Sequence, residues 1–172
     1  MQRQDRTSTF DKRAGLVSVI ILAVFIFPIT FVHELGHVMI CALDGHSFEM
    51  KVSAYMASVI CDGTSSNPML YWAAGGLLAM LVASSPFVAW NWVRRNKGVS
   101  IGSLTIATGH GVNAIIETFS HSLYVTNISA SIALIIIPTV IAYVIFLALF
   151  GRIKHDKDAV MRETIPSMNE FM

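Results

Sequence analysis

Charge is scarce in this sequence. Its 172 residues include 12 Lys and Arg and 11 Asp and Glu, only 13% of the chain. Soluble domains carry about 25%, so a conventional hydrated surface is excluded. The formal net charge is +1, which suggests no nucleic-acid partner. Cysteine is nearly absent. Cys41 and Cys61 are too few for a disulfide framework and read as two buried thiols, with a mutual disulfide as the alternative if both face an oxidising side. Six histidines occur, without the repeated H-x-x-H-H clusters of a histidine-box di-iron oxidase. What is abundant is apolar: 54% of residues are hydrophobic, a membrane composition.

The apolar residues fall into four runs long enough to span a bilayer, about 20 residues each. They predict helices over about Ala14–Leu43, Met69–Val93, Val99–His121 and Ile128–Phe150. Asn67-Pro68 supplies a cap and a first-turn proline for the second. Pro28, Pro86 and Pro138 are expected to kink the first, second and fourth. Between the first two, Asp44-Gly45-His46 reads as a turn and Ser47–Cys61 as a short β hairpin or a partly membrane-dipping β segment. The expected fold is therefore an all-α polytopic membrane protein of about four transmembrane helices with one short hairpin. Residues 14–150 form a single membrane-embedded domain in this reading. Residues 1–13 read as a frayed cytoplasmic tail, and 151–172 as a cytoplasmic tail, flexible or a surface helix. Asn127-Ile128-Ser129 matches a glycosylation sequon, a weak signal beside a bilayer.

Charge placement sets the expected orientation. Of the 12 Lys and Arg residues, Lys51 alone lies between the first and second runs, and none lies between the third and fourth. The positive-inside rule then puts both termini in the cytoplasm of a multi-pass protein, with the cell membrane as the default location.

Inside the first run stands His33-Glu34-Leu35-Gly36-His37. Ionisable side chains in hydrocarbon are expensive and need a reason. Histidines four apart on a helix project from one face and can grip one metal ion, with Glu34 beside them as general base. A catalytic zinc site wants a third protein ligand. The third run carries His110, Asn113, Glu117 and His121 at spacings of three, four and four, aligned on one face. His33 lies 20 positions after Arg13, and Glu117 lies 20 positions after Lys97. At about 1.5 Å per residue both sit roughly 30 Å of helix from the cytoplasmic charges. This favours Glu117 as third ligand over Asp44 or Asp62, with His121 the alternative ligand. Asn113 is a candidate substrate or oxyanion contact.

The pattern resembles the site-2 protease class of intramembrane zinc metalloproteases. The resemblance rests on the His33–His37 motif, on the small-residue patch Ala73-Ala74-Gly75-Gly76 in the next run, and on the polar run after it. The hairpin that follows the motif helix is also typical of that class. The family's third ligand is usually an aspartate in an N-P-x-x-P-x-x-D-G type motif, whereas here Glu117 occupies the corresponding region. Many members also run the motif helix in the direction opposite to the one the charges predict here. The resemblance implies one Zn2+ per chain and hydrolysis of peptide bonds in membrane-embedded or membrane-adjacent substrates. The alternative expectation is a non-proteolytic membrane metalloprotein acting in binding or transport.

Overall fold

The computed structural model describes residues 8–52, 57–126 and 128–154. Asn127 of the sequon and most of the C-terminal tail, residues 155–172, lie outside them. In chain order the elements are β1 (Ser8–Phe10), α1 (Lys12–Leu43), β2 (Ser47–Val52), β3 (Ala57–Asp62), α2 (Pro68–Ser84), a 3-10 segment (Ser85–Ala89), α3 (Trp90–Val93), α4 (Lys97–Thr126), α5 (Ile128–Phe150) and β4 (Arg152–Lys154). The fold is mostly helical. Four stretches are long and apolar enough to cross a membrane: Lys12–Leu43, Pro68–Val93, Lys97–His121 and Ile132–Phe150.

Local chemistry explains the boundaries. The Asp11 side chain accepts from the Ala14 amide and starts α1. The Asn67 side chain accepts from the Leu70 amide, with Pro68 in the first turn of α2. α1 ends on Gly45, whose positive φ of 78° lets the His46 amide turn back to the Cys41 carbonyl. That reversal sends β2 and β3 back as an antiparallel pair, with Ser47 opposite Asp62 and Val52 opposite Ala57. α1 stays helical through Pro28. Around Pro86 the second run loses its α-helical pitch, and the 3-10 segment separates α2 from α3.

α4 occupies the centre and packs against α1, α2 and α5. Glycine sets how closely the helices approach. A Cβ on Gly36 of α1 would lie 2.3 Å from the Ala74 carbonyl oxygen on α2. One on Gly76 would lie 2.5 Å from the His110 carbonyl oxygen on α4. Small residues at these crossings let backbones nearly touch. Ile29, Ala79 and Ile106 close the apolar junction of the same three helices. Large hydrophobic side chains lie outside, on α5 and the outer face of α1.

Two expectations need correction. Cys41 and Cys61 are not free thiols but form a disulfide, with Cα atoms 6.0 Å apart. The Gly45 reversal brings the end of β3 back over the end of α1, which linear reading of the chain does not reveal. Nor are the residues flanking the helical domain simply frayed. β1 and β4 pair antiparallel, with Phe10 opposite Arg152, and join the start of α1 to the end of α5.

Candidate metal centre

His33 and His37 project from one face of α1, and both are buried. Their Nε2 atoms lie 3.3 Å apart. α4 brings Glu117 to the same point. Its Oε1 is 3.3 Å from His33 Nε2, and its Oε2 is 3.7 Å from His37 Nε2. One donor atom from each residue falls within 4.8 Å of the other two. Among the described residues this is the group of His, Cys, Asp and Glu side chains that can hold a metal ion.

The donor set fits such an ion. Zinc–ligand distances of about 2.0–2.1 Å at tetrahedral angles put neighbouring donors about 3.3–3.4 Å apart. Two of the three separations here match that spacing. The orientation of His37 is also suited to it. Its Nδ1 lies 2.8 Å from the Tyr71 carbonyl oxygen on α2. A carbonyl only accepts, so Nδ1 carries the proton and Nε2 of the neutral ring turns its lone pair toward the group. Glu117 Oε2, buried, has no hydrogen-bond partner. Two ring nitrogens and a carboxylate at one buried point make a donor set that could hold a cation.

Neighbouring elements hold this arrangement. Asn113, one turn before Glu117, donates from Nδ2 to Glu117 Oε1 at 3.0 Å. The sequence suggested a substrate or oxyanion contact for Asn113. In the structure its Nδ2 is engaged with the Glu117 carboxylate, and its buried Oδ1 has no hydrogen-bond partner. Gly75 of α2 lies against both imidazoles, and a Cβ there would sit 2.4 Å from His37 Nε2 and 2.7 Å from His33 Nε2. Only glycine fits. Glu34 is half-buried beside the group, and the backbone N–H of Val59 on β3 donates to its carboxylate. The disulfide ties β3 to the end of the motif helix, so β3 is fixed relative to Glu34.

His121 is not part of the group. Its ring stacks on Trp72 at a centroid distance of 3.5 Å. The reason is a break in α4 at Ser120, where φ is −127° and ψ is 26°. The one-face alignment extrapolated from Glu117 to His121 ends there. Two neighbours of the site were given no role of their own from the sequence, although His110 was placed in the polar stripe. His110 lies with its ring centroid 5.5 Å from that of His33. Its place on the polar face of α4, two turns before Glu117, was the available signal. The Tyr71 carbonyl carries no side-chain signature at all.

No protein-family model, curated protein or solved structure matches this chain.

Proposed function

We propose that this chain is an intramembrane zinc endopeptidase that hydrolyses peptide bonds of membrane-embedded or membrane-adjacent substrates. The observation that carries the reading is the convergence of His33, His37 and Glu117 on one buried point, with Glu34 beside it. Two imidazoles and a carboxylate suit zinc among the divalent ions. Bound there, zinc would polarise a peptide carbonyl and acidify water. Glu34 would take the proton from the attacking water and pass it to the leaving amine. The Val59 amide holds the Glu34 carboxylate in place for that transfer. A purely structural metal site has no use for such a base. β3, beside Glu34, offers an extended backbone to which a substrate segment can add as a further strand.

The membrane reading draws on four helices of spanning length and apolar character. Three features support termini in the cytoplasm. Lys and Arg concentrate in the tails and in the segment after α3. The β1–β4 ribbon joins both ends of the helical domain on one side, as an even number of crossings requires. The Cys41–Cys61 disulfide lies at the other end of α1, where an oxidising exterior would keep it.

The test is cleavage of labelled transmembrane peptides in proteoliposomes by wild type and Glu34→Gln. The expected result is cleavage by the wild type, reduced about 10²–10⁴-fold in Glu34→Gln, with zinc content unchanged. Zinc binding with equal cleavage, or none, in both proteins would favour the non-proteolytic metalloprotein.

A further inference from the structure

About 20 residues along α1 from the metal centre, at the other end of the bundle, the start of α1 and the start of α4 flank a half-open cavity of about 280 Å³. Arg13, Arg95 and Lys97 line it, with Asp11, Val17 and Gly98. The cavity is built, not incidental. A Cβ on Gly98 would lie 2.6 Å from the Val17 Cβ and 2.9 Å from the Ala14 carbonyl oxygen, so glycine brings the two helices together there. Lys97 Nζ donates to the Arg152 carbonyl oxygen at 2.8 Å, and the Asp11 amide donates to the Gly151 carbonyl oxygen at 2.7 Å. Those bonds fix the surrounding segments to the β1–β4 end of the fold.

The electrostatics of this place are one-sided. Three cationic side chains line the cavity against one carboxylate, and Asp11 is already engaged as the cap of α1. Among the described residues no carboxylate lies within ion-pair distance of Arg13, Arg95 or Lys97. Neither α1 nor α4 has an acidic residue in its first turn. Both helices also direct the positive ends of their dipoles here, where cations are disfavoured and anions stabilised. Positive charge gathered at two helix N-termini is repulsive until an anion joins it. The volume lies just below the ~300–1,000 Å³ of drug-sized ligand sites, which suits a headgroup and not a large cofactor.

We propose that this cavity binds a phosphate group, carried by an anionic phospholipid headgroup or as free phosphate. Arg13 and Arg95 are exposed and able to swing onto the phosphate oxygens, with Lys97 as the fixed charge beside them. The lipid source rests on the membrane reading given above. Neither source depends on the protease reading. A phosphate seated here would bridge α1 to α4 at the end opposite the metal centre.

The test is native mass spectrometry of the full chain in detergent. Micelles are doped with phosphatidylglycerol or phosphatidylcholine, with and without millimolar inorganic phosphate. The expected result is one phosphatidylglycerol retained per chain under conditions that strip phosphatidylcholine. In Arg13→Gln/Arg95→Gln its affinity should fall about thirtyfold, as about 1 kcal/mol for each removed cation implies. Lys12→Gln/Arg94→Gln removes the same charge from residues outside the cavity lining and should retain it. Displacement of the lipid by inorganic phosphate, or phosphate binding alone, would assign the site to the free ion. Equal loss in both double variants would reduce the feature to general surface charge and overturn the proposal. So would the absence of any preference for phosphatidylglycerol together with no phosphate binding. Unchanged far-UV circular dichroism in both variants checks that the helices persist.

Discussion

α4 and α5 pack side by side and are built on opposite principles. α4 carries Ser103, Thr105, Asn113 and Glu117, all buried, and 39% of its most apolar stretch lies inside the fold. In α5, 16 of 23 residues are Ile, Leu, Val or Ala, and only 6% of the corresponding stretch is inside. In a water-soluble bundle the order would be reversed, with the apolar helix central and the polar one at the surface. Here polar groups find their partners inside, and hydrophobic side chains such as Ile136, Ile141 and Val144 face out. The difference is what a hydrocarbon solvent would demand, because lipid penalises an exposed polar group as water penalises an exposed apolar one. It also explains why the buried carboxylate sits on α4. A helix shielded on three sides is where a carboxylate can be kept for a purpose.

Exchanging the characters of the two helices should have the largest effect. Ile141→Asp on the outer face of α5 should cost about 2.5–3.5 kcal/mol in insertion, read as loss of protein from the carbonate-resistant membrane fraction. Glu117→Leu on α4 should insert at least as well as wild type, since replacing a buried ionic group by an apolar one of similar volume is often neutral or stabilising. If both changes behave alike, the contrast between the helices does not reflect a lipid exterior.

Next in size is the crossing at which α2 lies against the imidazoles. Gly75→Ala places a methyl 2.4 Å from His37 Nε2. Such overpacking should cost about 1–3 kcal/mol and abolish metal binding, as thermal unfolding and metal content would show. Ala79→Gly, further along α2 in the same core, should leave the metal in place. Smaller again is the support given to the ligand carboxylate. Asn113→Ala removes the hydrogen bond to Glu117 and should weaken metal affinity about 10–100-fold, measured by competition with a chelator of known affinity. An Asn113→Ala protein with unchanged affinity would make this residue a packing element only.

The smallest expected effect lies outside the helices. Ser65 and Ser66 hydroxyls, with the Ser66 amide, donate to Asp44 and hold its carboxyl below the usual carboxylate range, Ser65 most strongly. A depressed carboxyl contributes stability above its unfolded pKa and loses that contribution as the pH falls through its folded pKa. Melting of wild type should therefore gain a small acid-sensitive component below the usual carboxylate range, and Asp44→Asn should lack it.

What the sequence made legible was local or could be measured along a helix. His33 and His37 are four residues apart, so helical pitch alone puts them on one face. Glu117 could be matched to them because two parallel helices share a ruler of constant rise. The hairpin announced itself through Asp44-Gly45-His46 and the turn residues near Asn67. What stayed hidden depended on backbone geometry or distant pairing. No proline or glycine marks the break at Ser120, so His121 seemed to continue the stripe. The disulfide follows from how sharply Gly45 reverses the chain, and the β1–β4 ribbon pairs three residues with three others more than 140 positions away. The Tyr71 carbonyl that orients His37 would be offered by any residue at that position.

The central claim is that α4 supplies the third ligand to a metal held by α1. Its most direct test is the metal content of the detergent-purified protein, wild type beside Glu117→Ala, with His121→Ala in parallel. The account predicts about one zinc per chain in wild type and in His121→Ala, and loss in Glu117→Ala. Zinc retained in Glu117→Ala, or no metal in wild type purified without chelators, would contradict it.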